Sequence, residues 1–368
     1  MKKFENTTPA TRLFPWKKIS AMLLLGLLAS CTTPKQTKPQ KHVFFPAPPD
    51  EPRLQFLVSY GSEKEFRSGG RSFSSYVTGE KAPENPILKP YGIAIRDHKI
   101  YVCDTALDAI LTLDLSKRRM IGIVPKDEAA LKEPINITLD SDGSRYIVDS
   151  KRNQVIVLDA KNNHRATIGK AGEKPRDVAI AKNCFYVVDA QLQCIHVYDK
   201  TSFKLLDTFP KQNPKHFTPP LYQPTNVALD SKGQIYVCDT VAGVVQVYSK
   251  DGYHVRTIGQ IGDSVAFGQL KRPKGIAVDR EGRLYVADAA YNLVQMYDDQ
   301  GRYLMWFGYA GTAEAGAMTL PAKVVIDYDH VNDFQQFAAP DFKVEYLVLV
   351  TNQYGNRKVS IYGFGHKK

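Results

Sequence analysis

The chain has 368 residues, 43% hydrophobic and 24% charged, with a formal charge of +11 at pH 7. That balance excludes a disordered or low-complexity chain and supplies enough apolar residues for a sizeable core. Tyr (20) and Phe (17) far outnumber Trp (2), an aromatic content that leans toward β structure.

The first segment reads as a targeting signal. "MKKFENTTPATRLFPWKKIS" is a basic leader whose single acid is Glu5, and "AMLLLGLLAS" is an apolar run of ten residues. Ten residues are too few to span a bilayer core of ~30 Å, so the run reads as a signal peptide rather than a transmembrane helix. It ends Leu28-Ala29-Ser30-Cys31, which resembles the bacterial lipoprotein signal. The resemblance implies removal of residues 1–30 and lipidation of Cys31, which becomes the new N-terminus. Thr32, rather than aspartate, follows the cysteine, and this implies outer-membrane localisation, facing either the periplasm or the exterior. Losing residues 1–30 removes five basic groups and one acid and lowers the formal charge to +7. Residues 31–51 begin "CTTPKQTKPQK", and a run so polar and Pro-rich predicts an extended tether.

From residue 52 to 368 a single pattern recurs. Six units open on Pro90, Pro134, Pro175, Pro224, Pro273 and Pro321, at spacings of 44, 41, 49, 49 and 48 residues. Two of them read "QPTNVALDSKGQIYVCD" and "RPKGIAVDREGRLYVAD". Within each unit, short β-branched and aromatic runs alternate with Asp/Gly/Lys/Asn turns, predicting four strands per unit. A lone four-stranded sheet leaves both faces bare, so such units pack radially on one another as a propeller. The position four after each proline is Ala94, Thr138, Ala179, Ala228, Ala277 or Val325, small enough for an inner strand where sheets converge. The sixth unit ends "VSIYGFGHKK" without an outer strand, and "RLQFLVSYG" at 53–61 is predicted to supply it, closing the ring and covering an edge.

These units resemble NHL repeats over roughly residues 89–365, most closely in the fourth and fifth. The fold implied is an all-β, six-bladed β-propeller of NHL type. The opening "VFFPAPPDEPRLQFLVSYGSEKEF" also resembles bacterial six-bladed lipoproteins encoded near multihaem c-type cytochromes, which implies a protein partner of that kind.

Catalytic motifs are absent: HExxH, GxSxG, a Walker loop, GxGxxG and CxxCH do not occur, so no cofactor is expected. The column Asp104, Asp149, Asp189, Asp239, Asp288 and Asn352 reads as backbone-bonding turn residues. Lactonase- and lyase-type propellers set metal ligands just after the proline position, where this chain has Tyr91, Ile135, Arg176, Thr225, Lys274 and Ala322. One residue further, Asn136, Asp177 and Asn226 fall on consecutive blades. They are a candidate channel-mouth ligand site for a weakly held cation or water, or else caps of the strand starts. Cys103, Cys184, Cys194 and Cys238 are expected as buried free thiols, and the eight histidines show no metal spacing.

Two surface features remain. Lys174, Arg176, Lys211, Lys215, Lys271, Arg272 and Lys274 cluster on the connections of units three to five. They are a candidate partner surface, or else a solvated rim. An exported protein meets no nucleic acid there. The sixth unit carries a 16-residue insertion including "DHVNDFQQFAAPDFKVE", expected as a separable surface loop. The leading expectation is a non-catalytic, lipid-anchored docking or scaffold module. The alternatives are a metal-dependent hydrolase or lyase, and an envelope polysaccharide-binding propeller.

Overall fold

The computed structural model of the chain describes residues 42–69 and 85–368. The leader 1–30, Cys31 and the tether as far as Lys41 lie outside the described residues. Among the described residues no helix is long and apolar enough to cross a membrane.

Six antiparallel sheets follow one another around a ring. Their inner strands are Pro90–Arg96, Pro134–Leu139, Pro175–Ile180, Pro224–Leu229, Pro273–Val278 and Pro321–Asp327. Each inner strand touches those of both neighbouring blades, and the sixth meets the first. In blades one to five the four strands run from the centre outward in chain order.

The period-two pattern builds this ring because successive side chains leave a strand on opposite faces. In Lys99–Asp104, Ile100 and Val102 enter the core between blades six and one, while Tyr101 and Cys103 enter the core between blades one and two. Ile235 and Val237 face blade three, and Tyr236 and Cys238 face blade five. The described residues form six such cores, one at each blade interface. Second strands are accordingly buried on both faces, whereas outer strands such as His254–Ile258 and Tyr303–Phe307 alternate between packed and solvent-facing positions.

The sixth blade is completed by the N-terminal segment, as the sequence predicts. Leu54–Tyr60 pairs antiparallel with Val359–Lys367 and is buried along its whole length. Val43–Phe45 adds a fifth strand outside it. The expected tether therefore ends earlier than residue 51, because apolar side chains in that stretch find partners: Phe45 packs on Phe307 and Tyr362, and Phe44 on Phe342.

The insertion in blade six departs from expectation more sharply. It folds as a short helix, Val331–Phe334, and a 3₁₀ turn, Gln335–Phe337, before an eleven-residue strand, Phe342–Asn352. Phe334, Ala339 and Phe342 enter the core between blades six and one. Gln55 of the N-terminal strand donates to the Phe337 carbonyl (3.2 Å) and accepts from Ala339 N–H (2.9 Å). The His98 amide donates to Nε2 of His330 (3.1 Å). Its acidic and polar residues suggest a loop, but its aromatic residues are consumed in the core. The insertion latches the seam where the ring closes.

Phe334→Ala should lower the unfolding free energy by about 3–5 kcal/mol, read by urea denaturation. A change within about 0.5 kcal/mol, usual for exposed positions, would show that the insertion is separable after all.

Candidate functional site

The channel mouth is shaped by a register shift after each proline. In blades two to six the second residue beyond the proline, not the first, resumes pairing with the next strand. Such bulges re-aim side chains. The residues so placed are Asn136, Asp177, Asn226, Gly275 and Lys323; in blade one, where pairing resumes at Ile93, the matching residue is Gly92. At the two glycines the strands approach too closely for a side chain. A Cβ on Gly92 would lie 2.6 Å from Asn136 Cα, and one on Gly275 would lie 2.5 Å from the Ala322 carbonyl oxygen.

The other four positions carry the chemistry. Lys323 Nζ reaches across the ring to Asp177 Oδ2 at 2.7 Å and Asn226 Oδ1 at 3.0 Å. Asp177 Oδ2 also accepts from Val227 N–H (3.0 Å), and Asn226 Oδ1 from Ile276 N–H (2.9 Å). Asn136 instead donates to the Arg176 carbonyl (3.1 Å). All four side chains are buried. Asp177 and Asn226 do converge, but on an ammonium supplied by their own column. A divalent cation at Asp177 would sit beside the Lys323 ammonium; Asp177 Oδ1 and Asn136 Oδ1 are buried without a hydrogen-bond partner. Lys323, two residues after Pro321, shares this column, but a reach across the ring leaves no mark in local spacing.

The aspartate column has the structural role expected of it. Asp104 accepts from the amides of Leu88 (2.7 Å), Lys89 (3.1 Å) and Ala106 (3.0 Å). Asp149, Asp239 and Asp288 repeat the arrangement with Lys132, Tyr222 and Lys271, each two residues before a proline.

The seven expected rim cations do not form one patch. Lys211 is paired with Asp207 (2.6 Å) and lies against the Tyr253 ring. Lys271 is paired with Asp263, Lys215 is exposed and Lys174 half-buried. Lys274 lies over the Tyr91 ring, 5.3 Å from its centroid. Arg176 and Arg272 lie close enough to act on the Tyr91 phenol, which burial pushes up to about 12. Burial pushes the Lys274 ammonium down to about 8, with Arg272 and Lys89 adding repulsion. Lys89, which the sequence did not single out, joins this group and sits 5.9 Å from the Tyr354 ring. The site is thus a cationic, aromatic mouth above an internally neutralised channel.

No family model matches the chain, and no curated protein matches its sequence. Solved structures do match. A protein of unknown function from Bacteroides thetaiotaomicron is 13% identical over 84% of this chain and 75% of its own, with a TM-score of 0.58. This chain is a six-bladed β-propeller. Regucalcin from Agrobacterium tumefaciens, a calcium-binding protein, is 14% identical over 77% of this chain and 92% of its own (TM-score 0.51). A catalytically inactive virginiamycin B lyase from Staphylococcus aureus, solved with quinupristin, is 14% identical over 76% of this chain and 96% of its own (TM-score 0.51). At these identities the propeller shares their architecture, and its activity has to be read from its own residues.

Lys323→Met should destabilise the propeller by about 3–5 kcal/mol, because it strands a buried carboxylate. Adding Asp177→Asn should recover most of that loss. Thermal and chemical denaturation of both variants checks this. A tolerated Lys323→Met would show that the carboxylate draws its compensation from elsewhere.

Proposed function

We propose that this chain is a lipid-anchored, non-catalytic propeller that docks an acidic protein partner at its cationic mouth. The carrying observation is the grouping of Arg176, Arg272 and Lys274 around Tyr91, with Lys89 close enough to act on Lys274. These charges come from blades one, three and five, so only the closed ring presents them together. Complementary charge of this kind steers encounter and sets orientation more than it adds affinity. Against a hydrolase or lyase, the Lys323 ammonium lies on Asp177 Oδ2 and Asn226 Oδ1 and repels a metal ion there.

The remaining parts of the reading rest on the sequence. Lipidation at Cys31 would hold the propeller at the outer membrane through a tether ending near residue 42. The resemblance to lipoproteins encoded near multihaem c-type cytochromes makes such a cytochrome complex the first partner class to test.

The test compares the full chain with an Arg176→Glu, Arg272→Glu, Lys274→Glu variant, both purified from membranes with bound proteins identified by mass spectrometry. The unmodified chain should retain an acidic partner that is released as ionic strength rises. The variant should lose that partner while keeping its unfolding temperature. Lys274 adds a pH signature. An acidic partner favours its charged form, so binding should weaken as pH rises through about 8, by about fivefold if one rim charge contributes about 1 kcal/mol. A partner held equally by the variant, independent of salt, would contradict the docking face.

A further inference from the structure

The third strand of blade three, Cys194–Asp199, opens Cys194-Ile195-His196. Residues two apart on a strand share a face, so the thiol and the imidazole point the same way while Ile195 enters the core with blade four. Cys194 pairs directly with Asp189 of the preceding strand. Cys194 Sγ lies 3.6 Å from Nε2 of His196. Asp189 Oδ2 lies 3.5 Å from the same nitrogen.

Asp189 is the irregular member of the aspartate column. Elsewhere the second carboxylate oxygen accepts the amide two residues before the proline. In blade three that amide belongs to Glu173 and bonds the Lys170 carbonyl instead (3.1 Å). Asp189 Oδ1 is satisfied by Lys174, Gln191 and Leu192, but Oδ2 is buried without a hydrogen-bond partner. The side chain is 1% exposed. The oxygen's ion-pair neighbour, His196, stands at 3.5 Å; a buried carboxylate oxygen without a hydrogen bond is costly, and such a group asks for a ligand.

The surrounding donors match one. Ligand atoms of Glu173, Asp189 and His196 all lie within 4.8 Å of one another. A charge-assisted hydrogen bond from His196 to Asp189 would be ~2.7–2.9 Å. Four ligands at ~2.0–2.3 Å from a tetrahedral zinc stand ~3.3–3.7 Å apart, which matches the separations at His196 Nε2. Nδ1 of His196 lies 3.1 Å from Thr208 Oγ1. A proton placed on Nδ1 and donated there leaves the Nε2 lone pair facing the cluster, an outer contact typical of metal-bound histidine.

We propose that Glu173, Asp189 and His196 Nε2 bind a zinc-type divalent transition metal, and that the Cys194 sulfur, 3.6 Å from Nε2 but outside the three-ligand cluster, turns in as fourth donor. Nitrogen and sulfur donors disfavour calcium and magnesium. The metal takes up the carboxylate oxygen that a linker amide takes up in the other aspartate blades, so its role here is structural. It also displaces a proton. The thiol and the imidazole must be deprotonated to coordinate. Binding therefore releases that proton and tightens as pH rises.

The experiment uses the untagged full chain, stripped with chelator and titrated with Zn²⁺ alone by calorimetry, then with Co²⁺ by absorption spectroscopy. The chain should take up one equivalent of zinc with proton release, and its unfolding temperature should rise. Co²⁺ should give a near-ultraviolet thiolate band that Cys194→Ser abolishes, and absence of that band contradicts the Cys194 assignment. Glu173→Ala, at a half-buried linker position, and His196→Gln should each weaken zinc binding at least tenfold. Circular dichroism of the metal-free variants confirms that they fold. No saturable uptake by the unmodified chain, or unchanged uptake by a folded Glu173→Ala variant, overturns the proposal.

Discussion

The ring depends on one repeated contact: in blades one to five, a buried carboxylate at the end of the second strand accepts backbone amides from the linker that enters its own blade. Asp104, Asp149, Asp239 and Asp288 each accept the two amides that precede the proline. A hydrogen bond to a charged group contributes about 1.5–3 kcal/mol, and these carboxylates are shielded from water. The contact fixes where the linker stops and where the proline starts the inner strand. It thereby sets the register shift that aims the next side chains into the channel. Lys323, Asp177 and Asn226 meet because five linkers and one latched seam hold their strands in place.

Much of this arrangement was legible in the sequence, for physical reasons that differ by element. Strand number and blade boundaries follow from period-two runs between prolines, since each run serves two cores at once. The closing strand was legible because blade six lacks an outer strand and residues 53–61 carry the missing pattern. The insertion misled because its sequence is acidic and aromatic together. Asp329, Asp333 and Asp341 suggested solvent, while Phe334 and Phe342 are core residues. Val43–Phe45 escaped notice because three residues are too short to show alternation.

The sites were harder to read than the fold. Asn136, Asp177 and Asn226 stand out by position, but the cation that engages Asp177 and Asn226 lies 146 and 97 residues away from them in sequence. Lys89 joins the mouth through ring geometry, with no pattern of its own. The histidines were judged scattered because metal spacing was sought in helical or loop motifs. Cys194 and His196 are two apart on a strand, and Asp189 reaches them only through the hairpin register. The channel's ammonium pairs with a carboxylate of its own column, and among the aspartate blades the carboxylate contact is incomplete in blade three.

Hydrogen–deuterium exchange of individual amides tests the central claim most directly. The amides of Leu88, Lys132, Tyr222 and Lys271 lie in linkers, yet each donates to a buried carboxylate. They should exchange only through opening of a whole blade, as slowly as strand amides do. The equivalent amide of Glu173, bonded within a local turn, should exchange faster. Exchange of the four at the rate of an unprotected loop amide would show that the carboxylates do not hold the ring.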